Sequence, residues 1–285
     1  MKKILCLLLA IISLLLCGET YAGTGYDNDI DEFAGRYAAF AKRKKDKSYQ
    51  DVIIAVNLGL DLPNYKDAIL IKNPESASVF VSKHYKLPLS YKPENLVAVD
   101  RKYAQSGVKL REDCYRAFLS MAKDMEKGGM QLYIKAGYRV NRKRTGGDSL
   151  WYAFPGHSEH QTGLAFDLRK KNVTYKTLGA YDYEKTREYA WLCEHAYRYG
   201  FVLSYPKGKT ELTGFGYEPW HWRYVGREIS TDMKVEGFST YQEYWATYLI
   251  QDVMQTEAQS EVFARKRIAR ALHISKNDHP EYMGL

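Results

Sequence analysis

The stretch Ser158-Glu-His-Gln-Thr-Gly-Leu-Ala-Phe-Asp167 sets the imidazole of His160 seven residues before the carboxylate of Asp167. The residues from Gly163 onward resemble a strand, and a turn at Thr162-Gly163 would let a loop histidine and a strand aspartate face the same point. Each side chain could instead be a hydrogen-bonded structural residue, because such a pair is common by chance. The stretch alone therefore does not predict a functional site.

A further carboxylate and imidazole follow in Glu218-Pro-Trp-His221, three residues apart. That spacing puts both side chains on one side of a single turn. With His160 and Asp167, His221 completes a set of two neutral nitrogen ligands and one anionic oxygen ligand, which leaves a fourth tetrahedral position for water. Glu218 would lie beside the metal without having to bind it. We predict an open metal site with a spare carboxylate.

The ligand set alone does not decide which metal is bound. Two histidines and one carboxylate can also hold non-haem iron. That class usually opens with a histidine and an aspartate two residues apart, a spacing that this sequence lacks. We therefore expect one Zn²⁺ per chain. His157 is left out of the site, because in an extended segment its side chain would point away from that of Ser158.

Helical and strand-like patterns alternate along the chain. Apolar residues recur at helical spacing in four stretches: 30–42, 110–127, 183–199 and from about 240 onward. Four other stretches predict strands: 52–56, 131–136, 163–168 and 201–205. Residues 207–216 are expected to form a hairpin or loop. Strands separated by single helices, without a regular βαβ repeat, favour an α+β fold.

The beginning of the chain has the pattern of a secretory signal. Two lysines at 2–3 precede an apolar run over 4–16, and small residues lead up to Ala22. The run is too short to span about 30 Å of hydrocarbon comfortably. We expect cleavage near Ala22 and export to the periplasm, cell wall or medium. A lipoprotein anchor at Cys17 is the weaker alternative.

Composition limits the classes of partner. The net charge of +8 and the scattered basic residues suit an anionic cell wall, while no nucleic-acid-binding motif accompanies them. The 25 tyrosines fit either a polar cleft lined for peptide or sugar, or half-buried positions at the edge of the core. We expect a monomer that associates electrostatically with the wall and does not bind nucleic acid.

Two cysteines, Cys114 and Cys193, follow the signal segment. Both lie on helical stripes of apolar or small residues, so we expect buried, unpaired thiols, with a disulfide between them as the alternative. Metal binding by these thiols is disfavoured, because they are far apart and neither has a Cys-x-x-Cys partner.

The two motifs together resemble the VanY-type D-alanyl-D-alanine carboxypeptidases, zinc peptidases that share a fold with lysostaphin and the hedgehog signalling domain. The similarity runs through six short stretches, 155–163, 191–192, 199–201, 205–209, 213–214 and 217–225, and with Gly137-Tyr-Arg139 it covers roughly residues 90–245. It implies a small, mainly antiparallel sheet flanked by helices. We accordingly divide the chain into a signal peptide (1–22), an N-terminal extension (23–85), a catalytic domain (86–245) and a helical C-terminal extension (246–285).

The resemblance implies a role for each site residue. His160, Asp167 and His221 would bind zinc, which lowers the pKa of a bound water from about 15.7 toward 7. Glu218 would take the proton from this water and return it to the leaving amine nitrogen. Arg139 matches the family's substrate arginine, whose fork of donors suits either the developing oxyanion or the terminal carboxylate. Ser158 and Gln161 match positions near the substrate, although Ser158 could equally cap a turn.

Departures from the family pattern affect specificity. The family usually has Ser-Gly-Tyr-Arg-Ser around its arginine, whereas this chain has Ala136-Gly-Tyr-Arg-Val140. Many members carry a glutamine where this chain has Arg144, and an arginine where it has Ser204. Arg144 could clamp a substrate carboxylate or face solvent. None of these changes falls on the metal set.

The resemblance implies a carboxypeptidase that removes C-terminal D-alanine from peptidoglycan stem peptides, at either a D,D or an L,D bond. An endopeptidase with the same metal chemistry is the nearest alternative, and a positive group closing the cleft would exclude it. Arg139, Arg144 and Arg223 are the candidates for that group. A wall-binding module with structural zinc is disfavoured by Glu218. Beyond residue 245, a helical stripe is expected to pack back onto the domain, or else to dock a partner: Trp245, Tyr248, Leu249 and Val253.

Overall fold

The computed structural model describes residues 30–140, 148–171 and 180–250. The strands are β1 (Ile69–Leu70), β2 (Tyr85–Lys86), β3 (Leu96–Ala98), β4 (Lys109–Arg111), β5 (Ile134–Ala136), β6 (Ala165–Leu168), β7 (Phe201–Leu203) and β8 (His221–Tyr224). The α-helices are α1 (Ala34–Arg43), α2 (Tyr49–Asn57), α3 (Glu112–Lys127), α4 (Arg187–His195), α5 (Thr210–Thr213), α6 (Arg227–Glu236) and α7 (Tyr241–Tyr244). Within the described ranges, every helix is too short or too polar to cross a membrane.

The sheet that carries the site has four strands in the order β5-β6-β8-β7, and all neighbouring pairs are antiparallel. Asp167 in β6 lies directly opposite His221 in β8. Side chains that oppose each other across an antiparallel pair share one face of the sheet, about 4.5–5.5 Å apart at Cβ. The register therefore brings the aspartate and the second histidine together. A small antiparallel sheet among helices confirms the predicted α+β class.

Helix α3 supports this sheet from its other face. Its buried stripe contains Cys114, Phe118, Met121 and Met125, as the helical spacing predicted. The Phe118 ring meets Phe166 of β6 edge to face, with ring centroids 5.3 Å apart. Because Phe166 and Asp167 are consecutive in a strand, burial of the phenylalanine against α3 turns the aspartate to the opposite face.

The strand predicted over 52–56 is wrong, because these residues form the middle of α2. The run is rich in β-branched residues, which favours a strand when judged alone. Ser48 and Asp51 form a capping box in front of it, in which each side chain bonds the other residue's backbone N–H. This cap satisfies the first unpaired amides of a helix. A local start signal thus outweighs the β propensity of the run.

The other predicted elements are present with altered limits. The predicted helix over 183–199 consists of a 3₁₀ turn, then α4, then a second 3₁₀ turn that ends at Gly200 with φ 91°. Of the predicted strand over 131–136, only β5 forms a strand. The predicted loop over 207–216 contains the short helix α5.

The segments on either side of the sheet join one continuous core. Trp245, in a short π-helix that follows α7, stacks on Phe80 with ring centroids 4.3 Å apart. The side-chain amide of Asn57 in α2 donates to the carbonyl of Ala246 at 2.9 Å. Trp245 and Leu249 are buried, so the predicted packing of this stripe is confirmed as far as the described residues extend, while Val253 lies outside them.

Arg223 does not close the cleft, contrary to one of the sequence-based candidates. Its side chain is fully buried, and it donates to the carbonyl oxygens of Ala77 and Val79 at 3.0 and 2.9 Å. A guanidinium with several donors can satisfy carbonyls that would otherwise be buried without a partner. Arg223 therefore ties the 77–79 segment to β8.

The two described cysteines are unpaired, so the disulfide alternative is excluded. Cys114 is buried as expected, but Cys193 is exposed, and its predicted burial is wrong. In α4 the residue that faces the core is the neighbouring Leu192, and a residue one position along a helix points about 100° away.

Candidate active site

His160 is placed by a tight turn. It lies in the 3₁₀ turn Glu159–Thr162, which ends at Gly163 with φ 70°, a conformation that suits glycine. Its Nδ1 lies 2.8 Å from the carbonyl oxygen of Gly137. Since a carbonyl only accepts, Nδ1 carries the proton and Nε2 keeps its lone pair. Nε2 is buried and has no hydrogen-bond partner among the described residues.

Asp167 and His221 face each other from adjacent strands. Asp167 Oδ1 lies 3.0 Å from His221 Nδ1 and 3.3 Å from His160 Nε2. Burial raises the pKa of the Asp167 carboxyl, but the facing imidazoles outweigh it and hold that pKa well below its usual range. Asp167 is therefore an anion in the folded protein. His160 and His221 stand edge to face, with ring centroids 4.8 Å apart.

The three side chains fit a single metal ion. One donor atom from each of His160, Asp167 and His221 lies within 4.8 Å of the others. Two imidazole nitrogens and one carboxylate oxygen are the ligand types of open zinc sites that keep a fourth position free. The unpartnered Nε2 of His160 points at the aspartate, as a ligand nitrogen would.

Glu218 lies next to this set without being part of it. The backbone amide of His221 donates to the Glu218 carbonyl at 3.0 Å, which closes the predicted single turn. Glu218 Oε2 lies 3.7 Å from His221 Nδ1. Burial, helped by the charge of Asp167, raises the pKa of Glu218 to about 7, although His221 acts in the opposite direction. A carboxyl with a pKa near neutrality can both take and return a proton at physiological pH.

Arg139 lies at the solvent side of the metal set. Its Nη1 is 3.5 Å from Asp167 Oδ2, and 48% of its side chain is exposed. The backbone amide of Arg139 donates to the carbonyl of His160 at 3.3 Å, so the arginine and the metal turn are fixed to each other. The guanidinium can reach a substrate while remaining next to the reacting centre.

Comparison with known proteins agrees with this geometry. The family model described as D-alanyl-D-alanine carboxypeptidase (VanY) matches residues 107–227. YodJ of Bacillus subtilis, named as a carboxypeptidase, is 32% identical over 191 residues, which cover 61% of this chain and 69% of YodJ. The chain belongs to the VanY-type D-alanyl-D-alanine carboxypeptidase family. The matched residues include all three proposed ligands and Glu218.

Other VanY-type relatives point to the same class of peptidase. A D-alanyl-D-alanine carboxypeptidase of Enterococcus faecium is 34% identical over 193 residues, covering 64% of this chain and 57% of the enterococcal protein. The solved structure of the LD-carboxypeptidase LdcB has a TM-score of 0.55 at 29% identity, covering 64% of this chain and 91% of LdcB. VanYB in complex with D-alanine-D-alanine has a TM-score of 0.50 at 28% identity, covering 60% of this chain and 98% of VanYB.

One buried residue that contacts the metal set, Glu159, is not predicted from the sequence. Glu159 Oε2 lies 2.9 Å from His221 Nε2 and accepts a hydrogen bond from Ser204 Oγ at 2.7 Å. Burial lowers the pKa of His221, but the facing carboxylates of Asp167 and Glu159 outweigh it and raise that pKa to about 10, so both ring nitrogens hold a proton at neutral pH. A metal bound at Nδ1, the nitrogen that faces Asp167, would displace the proton there, while Glu159 would keep the other proton on Nε2. The only signal in the sequence is an acidic residue immediately before a ligand histidine, which does not by itself identify its partner.

The three other predicted substrate contacts are Ser158, Gln161 and Arg144. Ser158 is buried and its side chain does not cap the 3₁₀ turn, so the capping alternative is wrong. Gln161 is fully buried, and its amide donates to the carbonyls of Pro88 and Tyr91 at 3.3 and 3.1 Å. It therefore fixes the metal turn to the Pro88–Tyr91 loop, and its substrate contact stays a prediction. Arg144 lies outside the described residues.

His157 stays outside the metal set, as predicted. Its Nδ1 lies 2.7 Å from the carbonyl oxygen of Ser82, and its ring packs edge to face on Tyr65. Burial lowers the pKa of His157. His157 is thus a neutral structural residue that links the segment in front of the 3₁₀ turn of His160 to the N-terminal part of the chain.

Proposed function

We propose that this chain is a zinc-dependent carboxypeptidase that removes C-terminal D-alanine from peptidoglycan stem peptides. The observation that carries the proposal is the convergence of three ligand atoms within 4.8 Å of one another, with Glu218 beside them. A purely structural zinc site has four protein ligands and no need of a spare carboxylate. Membership of the VanY-type family supports the class of substrate.

The bound zinc would supply Lewis-acid activation of water and of the scissile carbonyl at neutral pH. Glu218 accepts the proton of the attacking water and delivers it to the amine nitrogen as the peptide bond breaks. Its raised pKa suits both steps, because the same carboxyl must be a base first and an acid second. Arg139 donates to an oxygen of the substrate that carries or gains negative charge.

The proposal covers cleavage at either a D,D or an L,D bond. The structural relatives include an LD-carboxypeptidase and a protein bound to D-alanine-D-alanine. We infer a carboxypeptidase in preference to an endopeptidase, because Arg139 is a half-exposed cation placed where a free carboxylate could bind. Export after cleavage near Ala22 would bring the enzyme to this substrate.

The test is release of free D-alanine from pentapeptide and tetrapeptide stems by zinc-loaded protein. Release from one or both stems is expected, with loss on chelation and recovery when zinc is restored. The matched control is Glu218→Gln, which keeps the shape of the side chain and should bind zinc while losing activity by at least about a hundredfold. No release from either stem by zinc-loaded protein would refute the proposed function.

A further inference from the structure

A second cleft, the lateral cleft, lies outside the metal set. Its walls come from residues 58–84, from 148–150, from helix α5 and from Gln242, and its volume is about 380 Å³. Clefts of this size are at the lower end of the range for small-molecule sites. The described residues that line it include neither the proposed metal ligands nor Glu218. The lateral cleft is therefore a candidate binding site of its own.

The interior of the lateral cleft has little net charge. Lys83 forms an ion pair with Asp148, with 2.5 Å between Nζ and Oδ1. Burial lowers the pKa of His84 to about 4, so this imidazole is neutral at physiological pH. Glu211 is exposed. The other polar side chains of the lining are hydroxyls and amides: Asn64, Ser82, Ser149, Thr210, Thr213 and Gln242. A buried ion would lose its hydration here without gaining a free counter-charge, so the cleft favours an uncharged ligand that forms hydrogen bonds.

The Lys83 ammonium has donors that the protein does not use. Its side chain is 3% exposed, and it donates to one oxygen of Asp148. Otherwise Nζ lies over the rings of Tyr65 and Phe215, at 5.6 and 5.3 Å from their centroids. An ammonium has three N–H donors, and a ring face is a weaker partner than an oxygen. A ligand oxygen in the lateral cleft would give Lys83 a further acceptor.

The side chain of Gln242 has an acceptor without a partner. It is 3% exposed, and its amide donates to the carbonyl of Ser204 at 3.4 Å. That bond fixes the orientation of the amide, and Oε1 has no hydrogen-bond partner among the described residues. The same is true of Nδ1 of His84. Because buried polar atoms of native proteins are normally paired, these two unpaired atoms point to a ligand that supplies a donor.

We propose that the lateral cleft binds an uncharged N-acetylated sugar unit of the peptidoglycan glycan strand. This inference rests on the proposed function, because the stem peptides of peptidoglycan are attached to a glycan of such sugars. An acetamido group has one acceptor and one donor: its carbonyl would accept from Lys83, and its N–H would donate to Gln242 Oε1. Its methyl group suits the apolar part of the lining, which consists mainly of Leu58, Leu60 and Phe80.

The lateral cleft adjoins the segment that carries the catalytic carboxylate. The backbone amide of Gly216 donates to the carbonyl of Leu150 at 2.9 Å, which fixes one wall of the cleft two residues before Glu218. Next to this wall, Trp151 and Tyr152 are 45% and 67% exposed. Exposed aromatic rings can pack on the apolar face of a sugar, and adjoining exposed apolar residues mark binding surfaces. A glycan held here would keep its stem peptide near the metal set.

The binding experiment uses the trimer of N-acetylglucosamine as its probe. The glucosamine trimer, in which ammonium groups replace the acetamido groups, is the comparison. The Kd of each is measured by calorimetry on the full chain, with and without zinc. Lys83→Met removes the unused donors, and Thr210→Trp places a large ring at a half-buried position of the cleft. Lys185→Met is the matched control, because Lys185 also pairs with an aspartate, Asp182 at 2.6 Å, away from the cleft.

A turnover experiment connects the sugar to the substrate. It compares kcat/KM for a pentapeptide stem carried on its disaccharide with kcat/KM for the free pentapeptide. We expect a ratio of about ten in the wild type, and a ratio close to one in Thr210→Trp. A ratio of one in the wild type, in protein that binds the trimer, would overturn the assignment of the ligand to the wall glycan.

The wild type should bind the N-acetylglucosamine trimer about tenfold to a hundredfold more tightly than the glucosamine trimer, the range for two hydrogen bonds to an acetamido group. Lys83→Met and Thr210→Trp should each weaken this binding by at least about tenfold, and Lys185→Met by less than about threefold. Circular dichroism identifies a variant that fails to fold, and the comparison of the two trimers on the wild type needs no variant.

Three results would overturn the inference: equal affinity for the two trimers, binding that disappears when zinc is removed, or binding that neither cleft variant changes. Release of D-alanine by protein that does not bind the N-acetylglucosamine trimer would also overturn it and leave the proposed function intact. Binding of the trimer by zinc-loaded protein that releases no D-alanine would refute the proposed function alone.

Discussion

Replacing Glu159 with glutamine tests whether a residue outside the ligand set controls the metal. Glu159 is 3% exposed, and its Oε2 contacts both His221 Nε2 and Ser204 Oγ. Glutamine keeps the size but loses the charge. Loss of a carboxylate behind a ligand histidine typically costs tenfold to a hundredfold in metal affinity, about 1.4–2.7 kcal/mol. We expect the zinc Kd of Glu159→Gln to rise by that factor.

The assay is zinc competition against a chelating dye, performed on protein shown to be folded by circular dichroism. Ser204→Ala is the matched control, since it removes the other hydrogen bond to the same oxygen without touching the imidazole; its Kd should change by less than about threefold. Glu218→Gln should also keep its zinc affinity. A Glu159→Gln protein that binds zinc as tightly as wild type would refute the argument that Glu159 sets the proton position on His221.

Three further predictions concern the support of the site and the fold. Gly137→Ala should unfold more easily and bind zinc less tightly, because the new Cβ would clash with the Lys109 carbonyl oxygen and displace the Gly137 carbonyl that His160 contacts. The assays are thermal unfolding and zinc titration. Gly129→Ala is the comparison, because Gly129 has a positive φ but open space around its Cβ position. Burial lowers the pKa of His84 to about 4, so the unfolded chain binds more protons below pH 6.5 and stability should fall by about 1.4 kcal/mol per pH unit between pH 6.5 and 4. The free energy of unfolding of His84→Gln, measured in urea at several pH values, should depend less steeply on pH than that of the wild type. An unchanged dependence on pH would contradict this. Ser48→Ala should cost about 1 kcal/mol through loss of the cap of α2, and an unchanged midpoint in urea would show that the capping box is not needed.

The metal set could be predicted from the sequence because its geometry is local. The three-residue spacing of Glu218 and His221 defines a single turn, and the left-handed conformation of Gly163 ends the turn that presents His160. Only the pairing of the two halves needed more than local rules. The similarity to VanY-type enzymes implied that His221 joins His160 and Asp167, and the structure shows that a cross-strand register between β6 and β8 brings His221 and Asp167 together.

The contacts of Glu159 and the β-bulge at Lys135 could not be predicted in the same way. The partner of Glu159 lies 62 residues away in the sequence, and its burial depends on the packing of β8 and Ser204. Lys135 falls in a segment predicted as a regular strand, where alternation alone would assign its face. A bulge changes that alternation, and a bulge depends on the partner strand more than on the residue itself.

Helix α2 is the opposite case, because the sequence contains a helix start signal but the strand-like composition of residues 52–56 led to the prediction of a strand. Residues 52–56 have strand-like composition, but Ser48 and Asp51 in front of them carry a helix start signal. The capping box in front of the apolar run is the signal that indicates the correct element. Arg223 differs again, because a basic residue beside a ligand suggests a substrate contact until its burial is known.

We infer that His160 Nε2, His221 Nδ1 and an oxygen of Asp167 bind one zinc ion. The most direct test is a crystal of the zinc-loaded protein measured on both sides of the zinc absorption edge. We expect a single anomalous peak bounded by these three atoms, with Glu218 next to it and not coordinating. A peak elsewhere, or one coordinated through His160 Nδ1 or His221 Nε2, would contradict it.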